Sequence, residues 1–228
     1  MPLIRPFFTS SAPLALALAV QADATALLLW AKSQGRFPER DVAALPAHRQ
    51  LEHYAVDVVL KRMGWEAHQM QIVHDAQRKP IIQSEDVGMA QQAIAIAHST
   101  EEGLCHALVT IGSGAIGCDI EGEREALRTV AHRVLSPDEG TAESSLSRLS
   151  ALWTIKESMF KAFGPGLDFR RDLRVALPTT WDPESASFWT IEGHVQSRSF
   201  HWKVSAQRSP SNGARIWLCC GPLEAEFV

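Results

Sequence analysis

The chain has 228 residues, 46% of them hydrophobic, enough for one large domain or two small ones around a packed core. A net charge of -4 with 21% charged residues supplies no general attraction to nucleic acid or an acidic membrane, so any basic patch has to be local. Cys105, Cys118, Cys219 and Cys220 show no zinc-ligand spacing and two of them are adjacent, a poor disulfide framework that fits a reducing, cytoplasmic compartment.

In chain order, the apolar run Pro13 to Val20 comes first. Arg5 ahead of it and Ala22-Asp23-Ala24 behind it could mark a signal peptide, but Leu14, Leu16, Leu18 and Val20 alternate with alanine as a buried strand does, and the run is short. No stretch approaches the roughly 20 apolar residues that span a bilayer. Ala24 to Lys32 reads as a helix broken by Gly35 and Pro38. Pro46 opens a second, Ala47 to Met63, with Leu51, Tyr54, Ala55, Val58, Val59 and Arg62 as its stripe and Gly64 as its cap. Met70 to His74, Pro80 to Gln83, Gln92 to Ala97 and Leu104 to Ile111 read as strands.

The order then recurs. Ala115 to Ile120 is a strand, Glu123 to Leu135 a helix, and Ser136-Pro-Asp-Glu139 a helix start with proline at the first position. Gly140 to Ser150 reads as a mobile loop or a frayed helix start. Leu146 to Phe163 is the long helix: Leu149, Leu152, Trp153, Phe160 and Phe163 mark its core face, and Gly164-Pro165 ends it. Phe188 to Gly193, Ser199 to Ala206 and Arg215 to Cys220 are strands. These elements predict two α+β subdomains, residues 1–113 and 114–228, joined near Gly112-Ser-Gly114.

Candidate chemistry gathers in the second half. In an extended Gly117-Cys-Asp-Ile-Glu121, Asp119 and Glu121 point to one side. On the long helix Glu157 and Lys161, four apart, are either a surface ion pair contributing about 0.3 to 0.5 kcal/mol or part of a site. If Glu157 joins Asp119 and Glu121, each uncompensated pair repels by roughly 4 kcal/mol at 4 Å and an effective dielectric of 20, which a divalent cation relieves. Hard oxygen donors fit magnesium better than zinc.

Gly-x-Asp-x-Glu followed by Trp-Thr-x-Lys-Glu-Ser-x-x-Lys-Ala resembles the two signature motifs of the 4′-phosphopantetheinyl transferases, in their larger, pseudo-dimeric, carrier-protein-activating class. Gly117, Asp119, Glu121, Trp153, Lys156, Glu157 and Lys161 carry the match. Ser136-Pro-Asp-Glu139 resembles a recurring turn of the family, Arg78-Lys79-Pro80 its Gly-Lys-Pro, and Ala97-His98-Ser99 its Ser-His-Ser, so that the likeness runs from Arg49 to Gly164.

The resemblance implies two similar α+β halves in pseudo-twofold arrangement with coenzyme A in the cleft between them. It implies Asp119, Glu121 and Glu157 as magnesium ligands against the coenzyme A pyrophosphate. Glu157 would be general base, directly or through a metal-bound water, for the serine of an apo acyl, peptidyl or aryl carrier protein. That hydroxyl attacks the β-phosphate, and adenosine 3′,5′-bisphosphate leaves. Lys161 and Asp119 join Glu157 in the catalytic set, with Lys161 on phosphate; Lys156 meets either phosphate or solvent. Arg49, Lys79, Pro80, His98 and Ser99 would bind the nucleotide end of coenzyme A. Asp57, where many relatives carry arginine, would repel a 3′-phosphate unless Lys61, Arg62 or Arg78 compensates. Asp57, together with Arg78 in place of the Gly of Gly-Lys-Pro, motivates a second reading, a silent coenzyme A or carrier-protein binding module; an unrelated magnesium phosphohydrolase is a third. Arg170, Arg171 and Arg174 are either carrier-docking residues or a solvated basic loop. The remaining histidines and Trp65, Trp181, Trp189, Trp202 and Trp217 read as structural, and two internal halves predict a monomer with neither nucleic acid nor membrane as a partner.

Overall fold

The structure, a computed structural model, describes residues 14–101, 103–178, 181–182 and 188–223. Arg5 and Pro13 of the apolar N-terminal region lie outside the described residues. The chain is α+β and divides into two compact units, Leu14–Gly114 and the residues from Ala115 onward, each with a five-stranded antiparallel sheet and helices.

The first unit runs β1 (Leu14–Gln21), α1 (Ala24–Ser33), α2 (Ala47–Arg62), β2 (Gln71–His74), β3 (Pro80–Gln83), α3 (Val87–Ala90), β4 (Ala93–Glu101) and β5 (Leu104–Gly112), in the sheet order β1-β5-β4-β3-β2. Asp23 starts α1 by accepting from the Ala26 N–H at 2.8 Å. The buried stripe of α2 is wider than its apolar residues alone predict. Leu51, Ala55 and Val59 are joined by Val56 and Leu60, and by the acidic Glu52 and Asp57, while Arg62 is exposed. Gly64, at φ 93°, lets the Trp65 N–H return to the Leu60 carbonyl at 2.9 Å and ends the helix.

β4 is longer than its apolar run predicts. Its ladder with β5 continues through His98↔Ala107, Ser99↔His106 and Thr100↔Cys105 to Glu101↔Leu104, so cross-strand pairing carries polar residues into the strand. His98 and Ser99 therefore lie within a strand and not after one.

The second unit runs β6 (Gly117–Gly122), α4 (Ala126–Val134), α5 (Leu146–Phe163), β7 (Leu173–Val175), β8 (Trp189–Val195), β9 (Arg198–Arg208) and β10 (Arg215–Leu223). Its sheet order, β6-β10-β9-β8-β7, sets first strand beside fifth just as in the first unit. The centre of α5's buried face is Leu152, Ile155 and Met159, all fully buried and worth about 1.5 to 3 kcal/mol each in apolar transfer. Trp153, Phe160 and Phe163 are half-buried and stack on Phe169 and Phe200 at its flanks. Trp202 and Trp217 are wholly inside.

Two expectations are corrected. Ser136 to Glu139 is a turn and starts no helix, because the Glu139 carboxylate is drawn into the core. Helix α4 starts at Ala126 and not at Glu123, whose carboxylate instead receives Ser147, Arg215 and Trp217 side chains. Gly140 to Ser150 divides into a turn and the first residues of α5, with Ser145 as N-cap accepting from the Arg148 N–H at 3.3 Å. Among the described residues no helix is long and apolar enough to cross a membrane.

Candidate active site

The geometry of the second unit starts from Gly117. A Cβ there would stand 2.0 Å from the Ser158 carbonyl oxygen and 2.7 Å from the Ala162 nitrogen, so only glycine lets β6 lie directly on the backbone of α5. That contact fixes which residues meet. Asp119, two residues along the same strand face, reaches the Lys161 ammonium at 2.7 Å, one helical turn beyond Ser158. Ser158 ties the same place to β10 through the Cys219 carbonyl at 3.3 Å. The Glu157–Lys161 surface pair considered from sequence is thus replaced by a Lys161–Asp119 pair, with the Asp119 side chain 10% exposed.

Three carboxyls share this corner with two cations. Burial raises the Asp119 carboxyl, with Lys161 opposing it. Burial also pushes Glu121 up to about 7; Arg124, its ion-pair partner, opposes, while Asp119 and Glu157 add to the rise. Glu157 is raised by burial and then by Asp119. Burial works to lower Lys161, but Asp119, Cys118 and Glu157 outweigh it, so its ammonium is held above the ordinary range. Glu121 and Glu157 therefore each feel another carboxylate, and the corner holds three acidic groups against two basic ones.

Among the described residues no three His, Cys, Asp or Glu side chains stand together in a metal-holding group. Asp119 Oδ1 is turned to Lys161 and Glu121 to Arg124. The donor chemistry nevertheless fits a hard divalent cation: Asp119 Oδ2 is buried without a hydrogen-bond partner, beside two further carboxylates whose mutual repulsion is only partly relieved.

Lys156 meets neither phosphate nor solvent, which corrects both alternatives left open from sequence. It is fully buried, and its ammonium donates to Val134 O at 2.8 Å, Phe169 O at 2.9 Å and Glu139 Oε2 at 2.6 Å. All three donors are used. Glu139 also accepts from the Ser136 N–H at 2.7 Å and the Val175 N–H at 2.8 Å. The Ser-Pro-Asp-Glu turn and the long helix are thus two halves of one buried clamp, a connection their separation in sequence gave no means of seeing.

In the first unit, Arg49 in the first turn of α2 lies 2.5 Å from Glu52 Oε2, at an angle that makes an ion pair and not a directed hydrogen bond. His98 on β4 places Nδ1 3.7 Å from Glu52 Oε1. Strand alternation sends Ser99 to the opposite side of β4 from His98, so the two do not act from one face. Lys79 and Pro80 follow the β2–β3 turn, where Asp75 Oδ1 accepts from the Gln77 and Lys79 N–H groups at 2.9 and 2.8 Å. Arg78 sits in that turn at φ 63°, a conformation that favours glycine and explains why Gly-Lys-Pro would be the easier sequence there. Among the described residues no ion pair or hydrogen bond ties the Lys79 side chain to Arg49 or His98.

Asp57 is turned inward, and of the three compensating residues considered, Lys61 is the one that pairs with it. Asp57 is 1% exposed and receives Arg36 at 3.1 Å, Lys61 at 2.9 Å and the Trp30 ring N–H at 2.9 Å. Arg36, itself fully buried, was legible only as part of a helix break. Of the three docking candidates, Arg171 is bonded to Asp172, Arg170 donates to His132 O, and Arg174 lies in β7 with Nη1 buried and unpartnered. Glu52 and Arg124 are residues that sequence reasoning passed over, and Glu139 was read only as part of the Ser-Pro-Asp-Glu turn. The signals for Glu52 and Arg124 were the three-residue spacings to Arg49 and Glu121.

No curated protein matches the chain. The family model of the 4′-phosphopantetheinyl transferase superfamily matches residues 115–219. Proteins of that superfamily act on carrier proteins with coenzyme A, generally with magnesium. The match spans β6, α5 and most of β10, the elements that assemble the carboxylates and Lys161, so the chain resembles the 4′-phosphopantetheinyl transferase superfamily over residues 115–219.

Proposed function

We propose that this protein transfers 4′-phosphopantetheine from coenzyme A to a serine of an apo acyl, peptidyl or aryl carrier protein, releasing adenosine 3′,5′-bisphosphate. The observation that carries the reading is the corner where Asp119, Glu121 and Glu157 repel one another beside Lys161, within the matched residues. Its unpartnered Asp119 Oδ2 and surplus negative charge suit Asp119, Glu121 and Glu157 as the holders of a magnesium ion. Such an ion would neutralise charge on the pyrophosphate of coenzyme A.

Glu157, with its carboxyl raised above the ordinary range, suits a general base that takes the proton of the attacking serine hydroxyl near neutral pH. Lys161, held as an ammonium, meets the phosphate charge of the leaving nucleotide; Asp119 anchors it until substrate arrives. Residues 1–113 supply the nucleotide grip through Arg49, Lys79, Pro80 and His98, and residues 114–228 the carboxylates and the catalytic helix. The four buried, free cysteines fit a cytoplasmic protein. The silent-module reading loses one of its two motives, because Asp57 is occupied internally.

The test is to incubate the protein with coenzyme A, magnesium and a panel of apo carrier proteins and to follow carrier mass. Addition of one phosphopantetheine with equimolar release of adenosine 3′,5′-bisphosphate is expected. Glu157→Gln and Asp119→Ala should lose transfer while keeping the far-ultraviolet spectrum. Tight coenzyme A binding with no carrier modified across the panel would overturn the proposal.

A further inference from the structure

Glu123 follows β6 directly and stays outside α4, the helix its place in the sequence suggested. Its Oε1 accepts from three side chains: the Ser147 hydroxyl at 2.5 Å, Arg215 Nη1 at 3.2 Å and the Trp217 ring N–H at 3.3 Å. Arg215 Nη1 also donates to Ser147 Oγ at 2.6 Å, and its guanidinium lies over the Trp217 ring, 5.8 Å from the centroid. With Arg215 12% and Glu123 20% exposed, the charge-assisted bonds are sheltered enough to hold one geometry. The Glu123 N–H donates to the Arg215 carbonyl at 3.1 Å, so the β6–β10 ladder runs on through this residue.

These donors belong to the two elements that flank the carboxylate corner: Ser147 to the first turn of α5, Arg215 and Trp217 to β10. Strand alternation puts Glu123 on the side of the chain that carries Gly117, Asp119 and Glu121, and Trp217 stands opposite Glu121 across the ladder. The strand is thus fastened to α5 at two points. One is Gly117, against the backbone of Ser158 and Ala162; the other is Glu123, on the Ser147 hydroxyl. The spans match: Gly117 to Glu123 covers about 20 Å of extended chain, and Ser147 to the Ser158–Ala162 turn covers about 16 to 23 Å of helix. Asp119 and Glu121 lie between the fasteners, with Glu121 the nearer to Glu123. Arg124, the ion-pair partner of Glu121, is the next residue after it.

Resting on the reading that Asp119, Glu121 and Glu157 hold a divalent cation, we propose that Glu123 is a positioning residue for that site. By tying the end of β6 to Ser147, Arg215 and Trp217 it holds the Glu121 carboxylate beside Glu157 of α5. Its own Oε1 is taken up by the three donors, so its effect passes through the backbone.

Two measurements on the full chain test this. In the first, Mn2+, a hard dication visible by electron paramagnetic resonance, is titrated with and without coenzyme A. Glu123→Ala should weaken Mn2+ about 10-fold, the low end of what lost support around a metal costs. Glu123→Gln keeps an acceptor oxygen and should stay within about 3-fold of wild type. In a Glu121→Gln background the alanine change should add less than about 2-fold, because the carboxylate it positions is gone. In the second, amide hydrogen exchange of the metal-free chain is followed by NMR. Glu123→Ala should speed exchange at residue 123 about 10-fold or more and leave the Asp119 amide, deeper in the same ladder, unchanged.

A lower unfolding midpoint with Mn2+ affinity unchanged, or an equal loss of affinity with and without the Glu121 carboxylate, overturns the positioning role and leaves the transferase reading intact. Unchanged exchange at residue 123 overturns the anchor. A wild type that takes no Mn2+ under either condition overturns the reading of the corner as a metal site and the positioning role with it, and any exchange effect then reports strand anchoring alone.

Discussion

Replacing Glu139 by glutamine tests how the second unit is clamped. The change keeps shape and removes one charge. In the wild type, Glu139 receives Lys156 and the Ser136 N–H at Oε2 and the Val175 N–H at Oε1, with only 4% of the side chain exposed. An amide cannot accept at both ends, so either Lys156 and Ser136, or Val175, would face an N–H2 group. Lys156 would also keep its two carbonyl partners but lose the carboxylate it is paired with at zero exposure. Breaking one side of a buried pair costs about 3 to 5 kcal/mol, a large part of the roughly 5 to 15 kcal/mol that holds a domain together. Urea unfolding followed by tryptophan fluorescence at pH 7 should shift its midpoint down by about 1 to 2 M with the slope unchanged.

The sign of the pH dependence is a further check. Burial lowers Lys156, and Glu139 is the main opposing influence. Without Glu139 the folded pKa falls further below the unfolded value, so the unfolded chain binds more protons between the two. The deficit of Glu139→Gln should then shrink as pH rises toward that of ordinary lysine. Glu139→Gln/Lys156→Met should recover part of the loss. A loss under about 1 kcal/mol, or strict additivity in the double variant, would refute the clamp.

Gly117→Ala forces a methyl into the Ser158 carbonyl and should cost about 1 to 3 kcal/mol or more in thermal unfolding, with transfer falling further than stability because the Asp119–Lys161 pairing moves. Arg78→Gly relieves a left-handed residue and should stabilise by up to about 1 kcal/mol, offset in part by the freedom glycine gains in the unfolded chain; a loss of stability would contradict the turn geometry. Glu121, at about 7 when folded against 4.5 ordinarily, holds a proton that the unfolded chain has released. Metal-free stability should therefore fall as pH rises from 4.5 to 7, by of order 3 kcal/mol from this group, and Glu121→Gln should remove that share of the slope in calorimetry, leaving what Asp119 and Glu157 contribute. Millimolar magnesium should flatten it in the wild type; an unchanged slope would argue against Glu121 as a ligand.

Much of the architecture was written in local sequence. Leu146 to Phe163 has the span expected of it, because helix period, Ser145 and Gly164 all act within a few residues of the chain they shape. The Gly-x-Asp-x-Glu strand and Glu157 with Lys161 were readable for the same reason, since strand and helix periodicity alone set which side chains share a face. Residues governed by distant partners were not readable. β4 outran its apolar run because β5 supplied pairing to Glu101, and Ser136 to Glu139 formed no helix because Lys156, 17 residues beyond Glu139, claimed its carboxylate. The same holds for function. Sequence identified the donors, but only tertiary packing decided that Lys156 and Asp57 face inward, that Lys161 turns to Asp119, and that Glu52 stands behind Arg49 and His98. Those outcomes depend on burial and charge compensation between elements far apart in the chain, and neither is encoded in the spacing of any one stretch.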